Sequence, residues 1–438
     1  NMRLNLLFLS LFILFSTEMV IAKKIRPAKI LRMLKQSDVL NKHFTGFALY
    51  DLKNRKMIAG QNSDKHFTPA SNTKLFTFYA GLKLLKDSVA GLNYKEKGDS
   101  LIIWGTGDPS FLNSDFTDQT ILKKLKASGK QVYWSAGRFT GEFYGVGWTY
   151  DDYNEYYQPE MSELPVYGNI IRFSKNDLTI RTFPDYNSLD FKLNTETSGA
   201  PGRFRIRRDL MSNRFFYPET KIPDRFSQQV PFKVSEELIS DILRQNISGY
   251  SGMVHKQLPS DVKTWYSIPS DTLYKRMLLP SDNFIAEQIL LNIAASRGME
   301  MKTSVVIDFV QKNYLTDLPD KALWVDGSGL SRQNLFTPAS MVKLCEKIYD
   351  EINNESRLFD LLPQGGKTGT LRNLYKSDKP FVFAKTGSLS NNHTLSGYLI
   401  TSRGQKLIFS FMNNNFTSSA AEVRAEMEKV LTTIYRNY

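Results

Sequence analysis

The stretch Thr68-Pro-Ala-Ser-Asn-Thr-Lys74 runs directly into the apolar segment Leu75-Phe-Thr-Phe-Tyr-Ala-Gly-Leu82. Pro69 suits the start of a helix, and the apolar segment is typical of a buried helix. Residues three positions apart share a helix face, so Ser71 and Lys74 are predicted to lie one turn apart. The pair is a candidate nucleophile and base. By itself, the stretch fits equally a serine that caps a core helix beside a solvated lysine.

The S-x-x-K pattern occurs three times, at Ser71, Ser260 and Ser340, so the pattern alone is weak. The copy Thr337-Pro-Ala-Ser-Met-Val-Lys343 closely repeats the first stretch and also opens a helix. We interpret Ser340 as a helix N-cap and Lys343 as a surface residue, because this copy lies after Ser281, whereas the expected order of motifs requires it before. No long helical pattern follows Ser260.

Two further short strings follow the first in order. Ser281-Asp-Asn283 lies in the connection between two predicted helices, where the alternative interpretation is a turn that caps the next helix. Lys385-Thr-Gly387 continues the β-type run 381–384, so Lys385 is predicted on a strand of an antiparallel sheet. A second K-T-G at Lys367 lies in a glycine-rich loop with no strand pattern beneath it.

The ordered set S-x-x-K, S-x-N and K-T-G is the signature of penicillin-recognising serine acyl-transfer enzymes. The gap between the first two strings is unusually long. It contains short β-type runs separated by turn residues, from about residue 92 to residue 256. We predict that this segment is mainly β and is inserted between the first and second motifs.

The chain resembles the class C low-molecular-mass penicillin-binding proteins, the D-Ala-D-Ala carboxypeptidase/endopeptidase family. The resemblance covers most of the chain from about residue 30 and is weakest over 170–255. The strings that carry it are Pro69-Ala-Ser-Asn-Thr-Lys-Leu-Phe-Thr77, Gly107-Asp-Pro109, Pro280-Ser-Asp-Asn-Phe-Ile-Ala-Glu287, Asp326-Gly-Ser-Gly-Leu-Ser331, Gly369-Thr-Leu-Arg372 and Ala384-Lys-Thr-Gly387. We expect Asp326-Gly-Ser-Gly329 to form a structural turn near the site.

The resemblance implies an α/β fold. Its transpeptidase/β-lactamase-like domain, an antiparallel sheet flanked by helices, is interrupted by nested β-rich inserted domains. The expected division is a signal peptide over 1–22 and a discontinuous catalytic domain over 23–91 and 257–438. Inserted domain II covers 92–165 and 235–256, and inserted domain III covers 166–234.

The chemistry can also be argued from the residues. A serine hydroxyl is a weak nucleophile without a base. The chain has only four histidines and no G-x-S-x-G elbow, which disfavours a Ser-His-Asp triad. A lysine can act as the base if burial and a nearby cation lower its pKa. Lys385 is a candidate for that cation beside Lys74.

The resemblance implies a role for each matching residue. Ser71 is the nucleophile and Lys74 its base, Ser281 passes a proton to the leaving amine, and Asn283 binds Lys74 and the substrate amide. Lys385 anchors the substrate carboxylate. The implied substrate-binding residues are Thr386, Gly387 and Ser388, with the backbone N–H groups of Ser71 and Ser388 facing the oxyanion. This chemistry requires no metal and no cofactor.

Composition fits such an enzyme. The 438 residues are 41% hydrophobic and 13% aromatic, enough for several domains with real cores. The formal net charge is +13, spread along the chain without nucleic-acid-binding motifs, so no nucleic-acid partner is expected. A basic protein with scattered lysines explains this charge, and so does attraction to the carboxylates of peptidoglycan stem peptides.

The N-terminus resembles a secretory signal. Arg3 precedes the apolar run 4–15, and Ala22 precedes two lysines, so we predict a signal peptide cut after Ala22. The alternative is an uncleaved anchor, although the run is short for a membrane span. With a single cysteine, Cys345, no internal disulfide can form. We therefore expect a periplasmic or cell-surface protein without a stable membrane span after cleavage.

The predicted function is a serine-type D-Ala-D-Ala carboxypeptidase, D,D-endopeptidase, or both, acting on peptidoglycan peptides through a Ser71 acyl-enzyme. It should bind β-lactams covalently. The alternatives are a β-lactamase and a non-catalytic peptidoglycan-binding protein on the same fold. The sequence leaves open the choice between carboxypeptidase and endopeptidase, which differ in the leaving group.

Overall fold

The structure is a computed structural model that describes residues 25–185, 191–196 and 203–438. The helices are α1 (Pro27–Lys35), α2 (Lys74–Leu84), α3 (Thr120–Ala127), α4 (Glu236–Asn246), α5 (Ser270–Leu278), α6 (Asn283–Ser296), α7 (Thr303–Tyr314), α8 (Pro338–Ile352), α9 (Glu355–Leu361) and α10 (Ala420–Asn437). The strands are β1 (Phe44–Asp51), β2 (Lys56–Gln61), β3 (Ser88–Lys97), β4 (Ser100–Trp104), β5 (Gln131–Ser135), β6 (Ile170–Asn176), β7 (Thr179–Phe183), β8 (Lys192–Glu196), β9 (Arg207–Arg208), β10 (Arg214–Pro218), β11 (Ser227–Pro231), β12 (Tyr250–Val254), β13 (Lys263–Pro269), β14 (Val382–Leu389), β15 (Asn392–Ile400) and β16 (Lys406–Asn414). The predicted signal peptide, 1–22, lies outside the described residues.

A five-stranded antiparallel sheet, in the order β14-β15-β16-β1-β2, forms the centre of the catalytic domain. Successive residues of a strand face opposite sides. On β16, Phe409 and Phe411 belong to the core shared with α1 and α10, whereas Ile408 and Met412 belong to the core shared with α2, α6 and α8. The predicted fold class, an antiparallel sheet flanked by helices, is confirmed.

Helix α2 is buried on all sides, as its continuous apolar sequence predicts. Its helical packing partners are α5, α6 and α8. Over the described part of the chain, no helix combines the length and the apolar composition that crossing a bilayer requires.

The segment between α2 and α5 is mainly β, as predicted. It contains a five-stranded sheet, β12-β5-β4-β3-β13, in which β5 pairs in parallel with both β4 and β12. Two three-stranded sheets follow, β11-β6-β7 and β8-β10-β9. Strand β3 crosses the predicted domain limit at residue 91, and β13 lies after the predicted limit at residue 257. Both strands nevertheless belong to the five-stranded sheet of the inserted segment. The exact division of the chain stays a proposal.

Helix α6 connects the inserted segment to the catalytic domain. The buried amide of Gln288 donates to the carbonyls of Gly107 (3.0 Å) and Ser162 (2.9 Å) in the insert. The same helix begins at Asn283, in the second motif. The insert is thereby fixed relative to one wall of the candidate site.

Candidate active site

Ser71 lies in a short 3-10 turn, Ala70–Thr73, immediately before α2 and not within it. Two glycines allow other segments to approach this turn. A Cβ on Gly329, where φ is +81°, would lie 1.9 Å from the carbonyl oxygen of Ala70. A Cβ on Gly387 would lie 2.9 Å from the backbone nitrogen of Ser71. Glycine at both positions therefore lets the loop and the strand close around Ser71.

Lys74, the first residue of α2, is completely buried. Its Nζ lies 3.0 Å from Ser71 Oγ, 2.7 Å from Asn283 Oδ1 and 2.7 Å from the carbonyl oxygen of Ser328. These contacts use all three donors of a charged ammonium. When the Lys74 ammonium loses one proton, its nitrogen gains a lone pair. Of the three partners, only the Ser71 hydroxyl can donate a proton to that lone pair.

The two lysines of the site have lowered pKa values. Burial lowers the pKa of Lys74 to about 8, while the carboxyl groups of Asp326, Asp282 and Glu287 act in the opposite direction. Burial, followed by the charge of Lys74, lowers the pKa of Lys385 well below its ordinary value. A lysine as base at moderate pH is thereby made electrostatically feasible.

The second motif supplies a cap and two cleft residues. The carboxylate of Asp282 accepts the backbone N–H three residues ahead and caps α6, so the capping interpretation is also correct. Ser281, with φ +68°, places its Oγ 2.8 Å from Lys385 Nζ. The Nδ2 of Asn283 donates to the carbonyl of Tyr157 at 3.1 Å.

The third motif lies on β14, as predicted. Lys385 is buried, and its carbonyl accepts from Asn72 Nδ2 at 2.8 Å, which ties β14 to the Ser71 turn. Thr386 and Ser388 line the cleft. The Oγ of Ser388 lies 2.8 Å from Nδ1 of His393, its cross-strand neighbour on β15.

The Asp326-Gly-Ser-Gly329 string forms the predicted turn beside the site. The buried carboxyl of Glu287 accepts the backbone N–H groups of Gly327 (2.9 Å) and Ser328 (2.8 Å). Asp326 accepts the N–H of Gly329 at 2.8 Å. These bonds aim the Ser328 carbonyl at Lys74.

Neither Ser340 nor Lys367, the leading residues of the repeated strings, lines the cleft at Ser71. The interpretation of Ser340 as an N-cap is wrong: Thr337 caps α8 and accepts from the Ser340 N–H at 3.1 Å, because Pro338 takes the first helical position. Lys343 is half-buried, and its ammonium lies 2.8 Å from Glu346. Lys367 is in a loop, as predicted.

The cleft above Ser71 has a volume of about 680 Å³. Ser71, Ser281 and Ser388 lie along it, and the inserted segment adds Asp152 and Tyr157 on the far wall. These two insert residues are not predictable from the sequence, because no motif surrounds them. In the described ranges, no group of three or more His, Cys, Asp or Glu side chains is arranged to hold a metal ion.

The fold and the serine–lysine pair define the class of penicillin-binding serine peptidases. Within this class, the D-Ala-D-Ala carboxypeptidase 3 (S13) family matches residues 27–434, and the chain belongs to that family. It is therefore a peptidase of the D-Ala-D-Ala carboxypeptidase type. The resemblance and the enzyme class predicted from the sequence are both confirmed.

Individual relatives agree with this membership. The D-alanyl-D-alanine carboxypeptidase DacB of Haemophilus influenzae is 24% identical over 430 residues, which is 87% of each chain. The crystal structure of penicillin binding protein 4 (dacB) from Haemophilus influenzae matches with a TM-score of 0.74 and 20% identity, over 94% of this chain and 100% of that one. Its complex with a β-lactam matches with a TM-score of 0.68 and 18% identity, over the same shares.

Proposed function

We propose that the chain cleaves the bond after a D-Ala carbonyl in peptidoglycan stem peptides through an acyl-enzyme on Ser71. The observation that carries this proposal is the 3.0 Å contact between Ser71 Oγ and Nζ of Lys74. A buried lysine with a pKa near 8 is a base of suitable strength for a serine hydroxyl.

In the proposed reaction, neutral Lys74 takes the proton of Ser71 as the hydroxyl oxygen attacks the D-Ala carbonyl carbon. The backbone N–H groups of Ser71 and Ser388 stabilise the oxyanion. Ser281 then passes its proton to the leaving amine as the peptide bond breaks, and the proton that Lys74 took from Ser71 replaces it. Water hydrolyses the resulting ester and regenerates Ser71.

The terminal carboxylate of the substrate is held by Lys385 and Thr386. An arriving carboxylate favours the charged form of Lys385, because an opposite charge nearby raises the pKa of a lysine. With the substrate bound, Lys385 is therefore protonated and binds the carboxylate, whereas Lys74 is neutral and acts as the base. The 2.8 Å contact of Lys385 with Ser281 supports a link between the anchor and the proton relay.

The leaving group separates a carboxypeptidase from an endopeptidase. Incubation with purified monomeric pentapeptide muropeptides and cross-linked dimers, with product masses read out, tests both activities. Loss of one D-Ala residue from the monomer identifies the carboxypeptidase, and conversion of dimer to monomers identifies the endopeptidase. If neither substrate changed, the proposed function would be wrong.

β-Lactams are the second proposed ligand class. The Haemophilus influenzae relative has been solved with a bound β-lactam, and the open cleft at Ser71 gives a β-lactam carbonyl access to the hydroxyl. Long-lived, stoichiometric labelling by a fluorescent penicillin is expected. Rapid hydrolysis of the label would favour the β-lactamase alternative, and the absence of any adduct would favour a non-catalytic binding protein.

We also propose that the protein acts in the periplasm or at the cell surface, after export by the segment 1–22. The basic composition supports attraction to the carboxylates of the cell wall. Fractionation of cells that express the full chain, with N-terminal sequencing of the product, tests both the location and the cleavage after Ala22.

The identity of the nucleophile gives the first prediction. Ser71→Ala should abolish penicillin labelling and leave the fold intact, because it removes only one oxygen atom. Ser340→Ala is the matched control, since it alters the second S-x-x-K string, and it should keep labelling. Intact-mass spectrometry measures the adduct. If labelling were lost in Ser340→Ala and kept in Ser71→Ala, Ser340 would be the nucleophile and the choice of Ser71 would be wrong.

A further inference from the structure

The loop that carries the second K-T-G string reaches the outer edge of β14. The carbonyl of Pro363 accepts the N–H of Ala384 at 3.0 Å, and the N–H of Gly365 donates to the carbonyl of Val382 at 2.9 Å. The loop thus covers the first half of an edge strand. Beyond Ala384, Thr386 belongs to the part of β14 that lines the cleft.

The end of this loop is fixed in position. Gly369 has φ +58°, and a Cβ there would lie 2.8 Å from the carbonyl oxygen of Leu279. Leu371 is completely buried, and its carbonyl accepts the N–H of Gly366 at 3.1 Å. Thr370, between these two anchored residues, is held over the cleft and lines it.

Thr370 makes one contact with the K-T-G motif: its Oγ1 lies 2.7 Å from Oγ1 of Thr386. Each hydroxyl has a single proton, so only one of the two can donate to the other. In the structure Thr386 donates to Thr370. When Thr386 instead donates to a substrate carboxylate, its oxygen becomes free to accept a proton from Thr370.

We propose that Thr370 is a positioning residue for recognition of the substrate carboxylate. When the carboxylate is bound, the hydrogen bond reverses: the Thr370 hydroxyl donates to Thr386 Oγ1, which orients the Thr386 proton towards the carboxylate and polarises the Thr386 O–H bond. Hydrogen bonds in such a chain strengthen one another. The inference rests on the proposed function, because it takes Thr386 as an anchor for a D-Ala carboxylate.

The test compares Thr370→Val with Thr370→Ser on two peptides, one ending in D-Ala-D-Ala and one ending in D-Ala-D-alaninamide. Thr370→Val keeps the shape and loses the hydroxyl, so kcat/KM for the acid should fall about tenfold, through KM more than kcat. The slower amide reaction should not change. Thr370→Ser should restore the wild-type ratio of the two rates.

A double-mutant cycle with Thr386→Val separates a positioning role from independent contact. Thr370→Val should add almost nothing to the loss in a Thr386→Val background, because it acts through the removed hydroxyl. Thr433→Val controls for generic loss of a threonine hydroxyl, because the half-buried Thr433 bonds a carbonyl within α10, and this variant should behave as wild type.

Three results would overturn the inference: unchanged acid kinetics in Thr370→Val, equal losses with acid and amide, or no recovery in Thr370→Ser. Equal losses would indicate a loop that merely supports the fold of the site. An inactive wild-type protein on both peptides would refute the proposed function itself, and that outcome is distinct from the other three.

Discussion

Two lysine side chains, Lys74 and Lys385, lie buried beneath the cleft, and the charge of Lys74 disfavours the charged form of Lys385. Lys385 has its pKa lowered by burial and by Lys74, and Lys74 has a pKa of about 8 against an ordinary 10.5. Between about pH 8 and pH 10.5, the folded and ordinary pKa values of Lys74, the unfolded chain binds more protons at Lys74 than the folded chain does. Stability should therefore rise with pH across that window, and the cost of burying the charged Lys74 side chain is fully present below it.

The pH dependence of acylation follows from the same values. Lys74 must be neutral to accept the Ser71 proton, so the rate of penicillin acylation should rise with pH through an apparent pKa near 8. This apparent pKa belongs to the coupled pair of lysines. Stopped-flow acylation from pH 6 to 10 measures it. A flat profile over that range would contradict a lysine base.

Substitution of the base gives a companion prediction. Lys74→Arg keeps a cation beside Ser71 but cannot release its proton, so acylation should fall by at least about a thousandfold. The penicillin adduct is again the measurement. Acylation near the wild-type rate would remove Lys74 from the role of base and transfer it to a bound water.

At this scale the sequence predicted much of the site. Spacing placed Lys74 next to Ser71, and the strand pattern placed Lys385 on β14. The Ser328 carbonyl and Thr370 escaped prediction for a physical reason. Every residue has a backbone carbonyl, so a sequence pattern does not indicate which carbonyl lies in the site. Thr370 contacts Thr386 because its loop pairs with β14 in the folded chain, and local sequence does not predict that pairing.

The two K-T-G strings differ in the element that carries them. Lys385 is a buried strand residue whose ammonium lies 2.8 Å from Ser281 Oγ, whereas Lys367 is exposed in a loop. Lys385→Ala should reduce acylation by about a hundredfold or more, because it removes a charge-assisted contact in a desolvated site. Lys367→Ala should stay within about twofold, since its side chain is solvated.

Rates of penicillin acylation for the two variants give the comparison. Because Thr370 in the same loop contacts Thr386, a large loss in Lys367→Ala is an informative contrary result. It would mean that the loop depends on Lys367 and that the second K-T-G string also belongs to the site.

The two helices of the inserted segment, α3 and α4, were not predicted from the sequence. Helix α4 was not predicted, although Ser235 caps it and Leu238, Ile239, Ile242 and Leu243 form its buried stripe. The helix is short and lies among β-type runs, which dominated the interpretation of that segment. Helix α3 is shorter still, with only two fully buried side chains. Short amphipathic helices gain their stability from packing, which a local pattern does not reveal.

On the scale of the whole molecule, the insert and the catalytic domain meet along α6. This helix is apolar over most of its length, but Glu287, Gln288 and Asn292 are completely buried in it. Polar side chains in a buried helix require partners, and those of Gln288 and Asn292 are backbone groups before and within the insert. The polar positions were visible in the sequence, whereas their partners some 130–200 residues away were not.

This junction gives the last prediction. Asn292 Nδ2 donates to the carbonyls of Ala90 (2.8 Å) and Thr106 (3.0 Å). Asn292→Leu would remove this donor from both carbonyls, and the Ala90 carbonyl would keep the hydroxyl of Thr106, at 2.6 Å. We expect a loss of about 2 kcal/mol in the free energy of unfolding, measured by denaturant titration. Asn313→Leu is the matched control, because Asn313 is exposed on α7 and bonds only within its own helix. If both variants were equally stable, α6 would not hold the insert through this amide, and the apolar contacts along the junction would have to carry it.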